Sequence, residues 1–462
     1  MKLLSIVLAA GKGTRMKSKK HKVLHPLCGK PMVGHVIDVL KGVDSSRIVT
    51  IIGHGGEEVR SYLGDQVEYV LQEEQLGTGH AVMQAKPLLK DQEGITIVTY
   101  ADAPLITPES LKKFIEAHKE SQAAATILTA ELDNPYGYGR IVRGSQNEVT
   151  SIVEQKDCSP VEREIKEINT GTYCVDNKKL FNALDLVTNN NVQGEYYLTD
   201  IIRILKQQNE KIEGHILEDA NESFGINDRV QLADAEKIMR GRILKEHMRN
   251  GVTIIDPSNT YVDSGVTIGM DTTLMPGTKI SENAQIGSSC TIGPQSEINN
   301  TKIGDYVTIK QSVVVDSTVG NHTTVGPFAY LRPGSNIGEH VKIGDFVEIK
   351  NATIDDHSKV SHLSYVGDAK VGQNVNIGCG AVTVNYDGFK KHLTEIEDEA
   401  FVGSNVNLIA PIKVGKGSYV VAGSTLTEDI EADSVAIARV KQTTKEGYAS
   451  KLKSRIKNKY NN

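Results

Sequence analysis

The sequence has no tryptophan, and aromatic residues make up only 5% of its 462 positions. An interior built on stacked rings is therefore excluded, and aliphatic side chains have to fill it. Cysteine is scarce too. Cys28, Cys158, Cys174, Cys290 and Cys379 are odd in number, widely scattered and without a C-x-x-C pair, so neither a disulfide framework nor a zinc site is indicated. A reducing cytoplasm is the expected compartment. No basic excess exists either: the net charge of −6 argues against broad nucleic-acid binding, and only Lys441 to Lys459 is locally basic, as a solvated terminal helix would be. No apolar run reaches membrane-spanning length, so stable membrane insertion is not expected. The opening Lys2 to Ala10 faintly mimics a secretory signal, but Gly11-Lys12-Gly13-Thr14-Arg15 follows at once. A buried strand running into a phosphate loop explains it better.

What the sequence does have is a regular beat. From Val262 an aliphatic residue returns at every sixth position, through Ile268, Leu274, Ile280, Ile286 and Ile292 to Ile298, several directly before Gly. That period fits neither an α-helix nor an alternating strand. Six residues let each short strand point one aliphatic side chain inward and then turn, so three repeats close one coil of a β-helix. The beat resumes at Ile303, Ile309, Val319, Val325, Leu331, Ile337, Ile343 and Ile349, and again from Ile396 through Val402, Leu408, Val414, Val420 and Leu426. A long insertion is expected at Asn385–Thr394, where Gly and Lys break it. A β-sandwich would need period-two alternation and wider spacing between turns.

Length suggests about three domains. Residues 1–227 alternate apolar runs (Leu4–Ala9, Ile48–Ile52, Ile95–Thr99) with amphipathic stretches (Met32–Leu40, Pro108–His118), the pattern of a mostly parallel α/β sheet. Residues 228–250 read as one linker helix ending before Gly251, with Leu232, Ala235, Met239, Ile243 and Leu244 near one face. The β-helix is expected over 251–437 and a basic tail over 438–462.

Leu8-Ala9-Ala10-Gly11-Lys12-Gly13-Thr14-Arg15-Met16 follows the first strand, where small residues let backbone N–H groups approach an anion and Arg15 adds charge. It is neither a Walker loop nor the dinucleotide G-x-G-x-x-G, because Met16 takes the third glycine position. Asp102 ends the Ile95–Thr99 strand, where open α/β sheets place ligand groups, and a carboxylate there can hold Mg²⁺ against phosphate oxygens. Lys22, the run from Gln72 to Gly79 and the segment from Tyr100 to Leu105 complete a pattern that resembles the sugar-phosphate nucleotidyltransferases. With the β-helix behind it, and with Gly137-Tyr138-Gly139-Arg140, Glu167-Ile168-Asn169-Thr170-Gly171, Gln193-Gly194-Glu195-Tyr196-Tyr197 and Gly225-Ile226-Asn227 in order, the whole chain resembles the bifunctional uridylyltransferase and acetyltransferase family that makes UDP-N-acetylglucosamine.

The resemblance implies a fold and a set of roles. The fold is a Rossmann-like nucleotidyltransferase domain, a linker helix and a left-handed parallel β-helix of hexapeptide repeats. Leu8, Ala9, Ala10, Gly11, Gln72, Gly77 and Thr78, with Tyr100 and Ala101, would hold the uridine and its phosphates. Gly139, Glu154 and Asn169 would face the sugar, with Asn227 touching substrate and, with Asp102, carrying Mg²⁺. Arg15 and Lys22 would cancel negative charge in the transfer. Ala101 stands where the family usually has Gly, and its methyl group is tolerated only if the backbone there is not at positive φ.

In the β-helix, the same resemblance makes His362 the general base for an amine attacking acetyl-CoA, a role suited to an imidazole near neutral pH. Arg332 and Lys350 would grip the sugar 1-phosphate, Tyr365, Asn376, Asn385 and Tyr386 would orient sugar and base, and Glu348 would polarise the site. Ser404, Ala422, Arg439 and Cys379 would meet acetyl-CoA. The partners implied are glucosamine 1-phosphate, N-acetylglucosamine 1-phosphate, UTP and acetyl-CoA, in a homotrimer. Two rival readings remain at this point: a single-activity nucleotidyltransferase whose β-helix is a regulatory platform, and a non-catalytic scaffold.

Overall fold

The computed structural model describes residues 2–53 and 55–460; the last two positions of the basic tail lie outside the described residues. The chain forms two compact units, divided between Ile243 and Leu244. In the first, β1 (Leu3–Ala9), β2 (Arg47–Ile52), β3 (Glu68–Leu71), β4 (Ile95–Tyr100), β5 (Ala125–Glu131), β6 (Glu167–Asp176) and β7 (Ile212–Ile216) form one sheet in the order β7-β5-β6-β4-β1-β2-β3. β2 and β4 run parallel to β1, while β6 is antiparallel to both β4 and β5. A hairpin of Arg140–Arg143 and Val149–Val153 hangs from β6.

β1 is apolar on both faces because both are covered. Leu3, Val7 and Ala9 pack in one cluster with Val36 and Ile37 of α1 (Met32–Gly42) and Leu111 and Phe114 of α2 (Pro108–Ser121). Leu4, Ile6 and Leu8 belong to the opposite cluster, with Val82, Phe181 and Ile201. Period-two alternation thus feeds two cores from one strand, and each fully buried aliphatic side chain contributes about 1.5–3 kcal/mol. α2 starts where Thr107 caps the Ser110 N–H ahead of Pro108, and it stops at Gln122, which is left-handed at φ 52°. α3 spans Arg229–Arg249, with Asp228 Oδ1 accepting from the Val230 and Gln231 N–H groups and Gly251 at φ 92° just beyond.

The second unit is a parallel β-helix with three faces. Its strands run from Thr253–Ile254 to Val435–Ala436 on one face, from Tyr261–Val262 to Thr425–Leu426 on the next and from Thr267–Ile268 to Ile412–Val414 on the third. Six-residue periodicity becomes vertical register: Leu274, Ile292, Ile309, Val325, Ile343, Val360, Ile377, Val402 and Val420 stack as one buried column. Register partners Leu274 and Ile292 are 18 residues apart, but Ile377 and Val402 are 25 apart. The excess is the loop after Val384, closed by a bridge between Tyr386 and Lys391.

Candidate functional site

In the first unit, the carboxyl ends of β1 and β4 open onto a cavity of about 280 Å³ lined by Leu8, Ala9, Ala10, Gly11, Lys22, Gln72, Gly77, Thr78, Tyr100 and Asp102. These residues come from four separate segments, and sheet topology brings them together. Lys22, only 9% exposed, extends its ammonium to the Asp102 carboxylate and, at 2.9 Å, to Asn227 Oδ1. Arg15 Nη2 donates to the same Asn227 oxygen at 2.8 Å. The Ile226 N–H donates to Asp102 O at 2.9 Å, which fixes Asn227 beside the end of β4. Two hard oxygens from Asp102 and Asn227 therefore already converge on one cation. That donor set suits Mg²⁺, which is held by one or two protein oxygens while phosphates and water supply the rest.

Gly139, Glu154 and Asn169 are not among the residues lining that cavity but group near Tyr100, on which the Glu154 charge acts. A methyl group on Gly139 would come within 3.7 Å of Glu154 Oε1 and 3.6 Å of Asn169 Cβ, so the three residues are neighbours. Burial pushes the Glu154 carboxyl up, and the Thr199 hydroxyl at 3.3 Å offsets it in part. Burial likewise raises Tyr100, with the Glu154 charge adding to it. Asn169 donates to the Tyr173 hydroxyl at 2.7 Å. Ala101 is fully buried and is not among the positive-φ residues, so its methyl group costs no backbone strain. Gln75, Ala81 and Glu195, given no role in the sequence reading, also line the cavity.

In the second unit, the residues follow one edge of the β-helix. His362 ends Lys359–His362, and register sets it directly above Asp345, whose Oδ1 lies 2.5 Å from His362 Nδ1. That hydrogen bond holds the Asp345 carboxyl below its usual range. On the neighbouring face Tyr330, Glu348 and Tyr365 form one column, and Arg332 Nη1 donates to Glu348 Oε1 at 2.7 Å. Asn385 donates to Asp368 and, at 3.4 Å, to the Tyr365 hydroxyl. The Lys350 ammonium is close enough to push the Lys391 pKa down. Lys350 and Lys391 thus place two cationic charges side by side at this edge.

Coil by coil beyond His362, the Asn405 N–H donates to Cys379 O at 2.8 Å and the Gly423 N–H to Ser404 O at 2.9 Å. Arg439 Cδ approaches Gly423, beside Ala422. Cys379, Ser404, Ala422 and Arg439 thus lie along a single edge, about 4.8 Å per coil. Two predicted residues stand apart. Asn376 sits one coil from Lys359 on the first face, without a hydrogen bond to the rest of the set among the described residues. Tyr386 is 58% exposed, and its hydroxyl donates to Gly388 O at 2.7 Å within its own loop.

Sequence reasoning missed Asp345 and Lys391. Asp345 was within reach, since it precedes His362 by 17 residues, the spacing of neighbouring coils. Lys391 gave no signal, because the loop obeys no period.

A nucleotidyl transferase family model matches residues 4–221, and a bacterial transferase hexapeptide model, six repeats long, matches 265–300 and 316–351. Similar full-length proteins include one from Geobacillus sp. (strain WCH70), 56% identical over 98% of both chains, and one from Brevibacillus brevis, 54% identical over 98% of both. A third, from Bacillus subtilis, is 54% identical over 98% of this chain and 99% of its own. All three carry the name bifunctional protein GlmU. Identity above one half, sustained across both units, means that the chain belongs to the GlmU family of bifunctional proteins.

Proposed function

We propose that the chain carries two transferase activities in sequence: acetyl transfer from acetyl-CoA to glucosamine 1-phosphate in the β-helix, then uridylyl transfer from UTP to the N-acetylglucosamine 1-phosphate formed. The product, UDP-N-acetylglucosamine, supplies cell-wall precursors. The observation that carries the double reading is the His362–Asp345 pair beside the basic cluster of Arg332, Lys350 and Lys391. A regulatory platform has no use for an oriented imidazole next to an anion site.

With Nδ1 bonded to Asp345, the free lone pair of His362 is on Nε2. That nitrogen takes the proton from the sugar amine as the amine nitrogen attacks the thioester carbonyl. The new C–N bond forms, the C–S bond breaks, and CoA leaves as its thiol. Arg332, Lys350 and Lys391 hold the sugar phosphate, Tyr365 and Asn385 orient the sugar, and the edge from Cys379 through Ser404 and Ala422 to Arg439 takes acetyl-CoA. Asn376 and Tyr386, the latter exposed on its loop, join this site in the assembled enzyme, which we read as a homotrimer.

In the first unit, a phosphate oxygen of the sugar attacks the α-phosphorus of UTP and the bond to pyrophosphate breaks. No protein nucleophile is needed, so catalysis consists of positioning and charge cancellation. Asp102 and Asn227 would hold Mg²⁺, which when bound would neutralise phosphate charge. Arg15 and Lys22 add cationic charge, Leu8 to Gly11 with Gln72, Gly77 and Thr78 hold the nucleotide, and Gly139, Glu154 and Asn169 face the sugar. No helix among the described residues is long and apolar enough to cross a membrane. We place the enzyme in the cytoplasm, where UTP and acetyl-CoA are made. The test is an incubation with glucosamine 1-phosphate, acetyl-CoA, UTP and Mg²⁺, omitting each in turn and following products by mass. Without UTP, N-acetylglucosamine 1-phosphate accumulates; failure to form it refutes the acetyltransferase half.

A further inference from the structure

Gln72 lines the cavity yet is only 3% exposed, and its amide is held from behind. Its Nε2 donates to Gly77 O at 3.2 Å and lies 3.1 Å from His80 Nδ1. Both amide hydrogens are thereby used. Oε1 has no partner among the described residues and is not one of the buried unpaired atoms, so it opens onto the cavity. We propose that His80 makes the site selective for uracil over cytosine by fixing which end of the Gln72 amide faces the base. This rests on the reading that the nucleotide of UTP occupies this cavity.

The two ends of a glutamine amide have nearly the same shape and opposite polarity: the oxygen accepts, the nitrogen donates. At N3 uracil carries a hydrogen, whereas cytosine carries a lone pair. An oxygen facing N3 accepts from uracil and repels cytosine; a reversed amide does the opposite. Space cannot decide between them, so the contacts behind the amide must. Gly77 O is one acceptor, and His80 Nδ1 is the other.

Nδ1 accepts only in the tautomer with its proton on Nε2. Gln84 stands on that side, its amide 3.1 Å from His80 Nε2 and 3.0 Å from His80 O. A neutral imidazole cannot accept from two amide nitrogens at once. Gln72 is enclosed and anchored by Gly77, while Gln84 is only partly buried, and turning its oxygen toward Nε2–H costs it one hydrogen bond, the one from its Nε2 to His80 O. The ring is therefore the relay that keeps Gln72 in one orientation. His80 touches no substrate in this account and is a positioning residue.

The test compares UTP with CTP in the full-length enzyme, with N-acetylglucosamine 1-phosphate and Mg²⁺. His80→Leu removes the acceptor and should lower the UTP to CTP ratio of kcat/KM roughly tenfold, the worth of about one buried hydrogen bond. The change should appear mainly as a higher KM for UTP, with CTP unchanged or improved. His80→Asn puts an oxygen where Nδ1 stood and should restore the ratio, which a merely structural role would not predict. Equal losses for UTP and CTP in His80→Leu, with the ratio kept, would overturn the proposal. Gln72→Ala separates the two layers: if it too leaves the ratio unchanged, the nucleotide is not read here, whereas a collapsed ratio in Gln72→Ala beside an intact one in His80→Leu refutes the role of His80 alone.

Discussion

The two units assemble their chemistry in opposite ways. In the α/β unit, Lys22 meets Asp102 from 80 residues away and Asn227 from 205, with no rule linking the three positions. Along the β-helix, Asp345 and His362 are 17 residues apart, as are Asn385 and Asp368. Partners there are simply the same position one coil on. An irregular core can place a charge deep in a cavity, where Lys22 is 9% exposed. A coil offers only its surface, and His362 has 55% of its side chain exposed. In the proposed reading the first unit therefore gains catalysis from enclosure, and the second from rows of side chains along an edge that a bound substrate or a neighbouring copy would close off.

The largest expected effect tests whether the two sites are independent. Asp102→Ala should lower uridylyl transfer by about 10³-fold or more, through loss of the negative charge that organises the cation site, while acetyl transfer is unchanged. A chelator should do the same. If the folded variant loses both activities, the comparison breaks.

Next comes the exposed edge. His362→Ala should lower acetyl transfer roughly 10²- to 10⁴-fold and leave uridylyl transfer alone, with the loss in turnover more than in the KM for acetyl-CoA. The wild-type rate should also rise with pH through a limb that the variant lacks. Asp345→Ala sharpens this further. It removes only the partner that orients the ring, so a loss of about 10- to 100-fold is expected. If Asp345→Ala retains full turnover, the one-coil pairing is ornamental; if His362→Ala retains it together with the pH limb, Glu348 becomes the residue to examine as base.

Most of the β-helix was legible, because its aliphatic positions are set by the coil, but the beat as read skipped Val314 and lapsed between Ile349 and Ile396, where Ile354, Val360, Val371 and Ile377 are buried as well. Val262, Leu274 and Ile292 fall inward as the period demands, and even the insertion near Asn385 announces itself by breaking it. In the α/β unit β1, β2 and β4 were legible from their apolar runs, but the other strands and the sheet order were not. That β6 runs antiparallel between β4 and β5 depends on long-range pairing that no local pattern encodes. The cavity residues were reached through resemblance, and the contacts behind them, such as His80 on Gln72, were invisible until the fold set helix Thr78–Met83 against the end of β3.

The smallest expected effect concerns what each interior buries. Among the described residues, the β-helix encloses hydroxyls and the Asn385 amide as its buried polar side chains, whereas the α/β unit encloses Lys22, His25, His35, His118, Arg140 and Glu222. His118 is 3% exposed, with Nδ1 2.8 Å from the Thr126 hydroxyl, and burial pushes its pKa down from 6.5 to about 4. Between those values the unfolded chain binds a proton that the fold refuses. Stability from this group is therefore complete above pH 6.5 and declines as pH falls toward about 4, by about 1–2 kcal/mol at roughly pH 5. Hydrogen exchange followed by mass spectrometry, corrected for intrinsic rates, should show α2 and β5 losing protection on acidification while the strands around Ile292 and Ile309 keep theirs. His118→Gln retains a hydrogen-bonding group without a titrating proton and should flatten that difference. If both units lose protection equally in the wild type, or if the variant keeps the same slope, His118 is not the source and the contrast between the interiors does not reach stability.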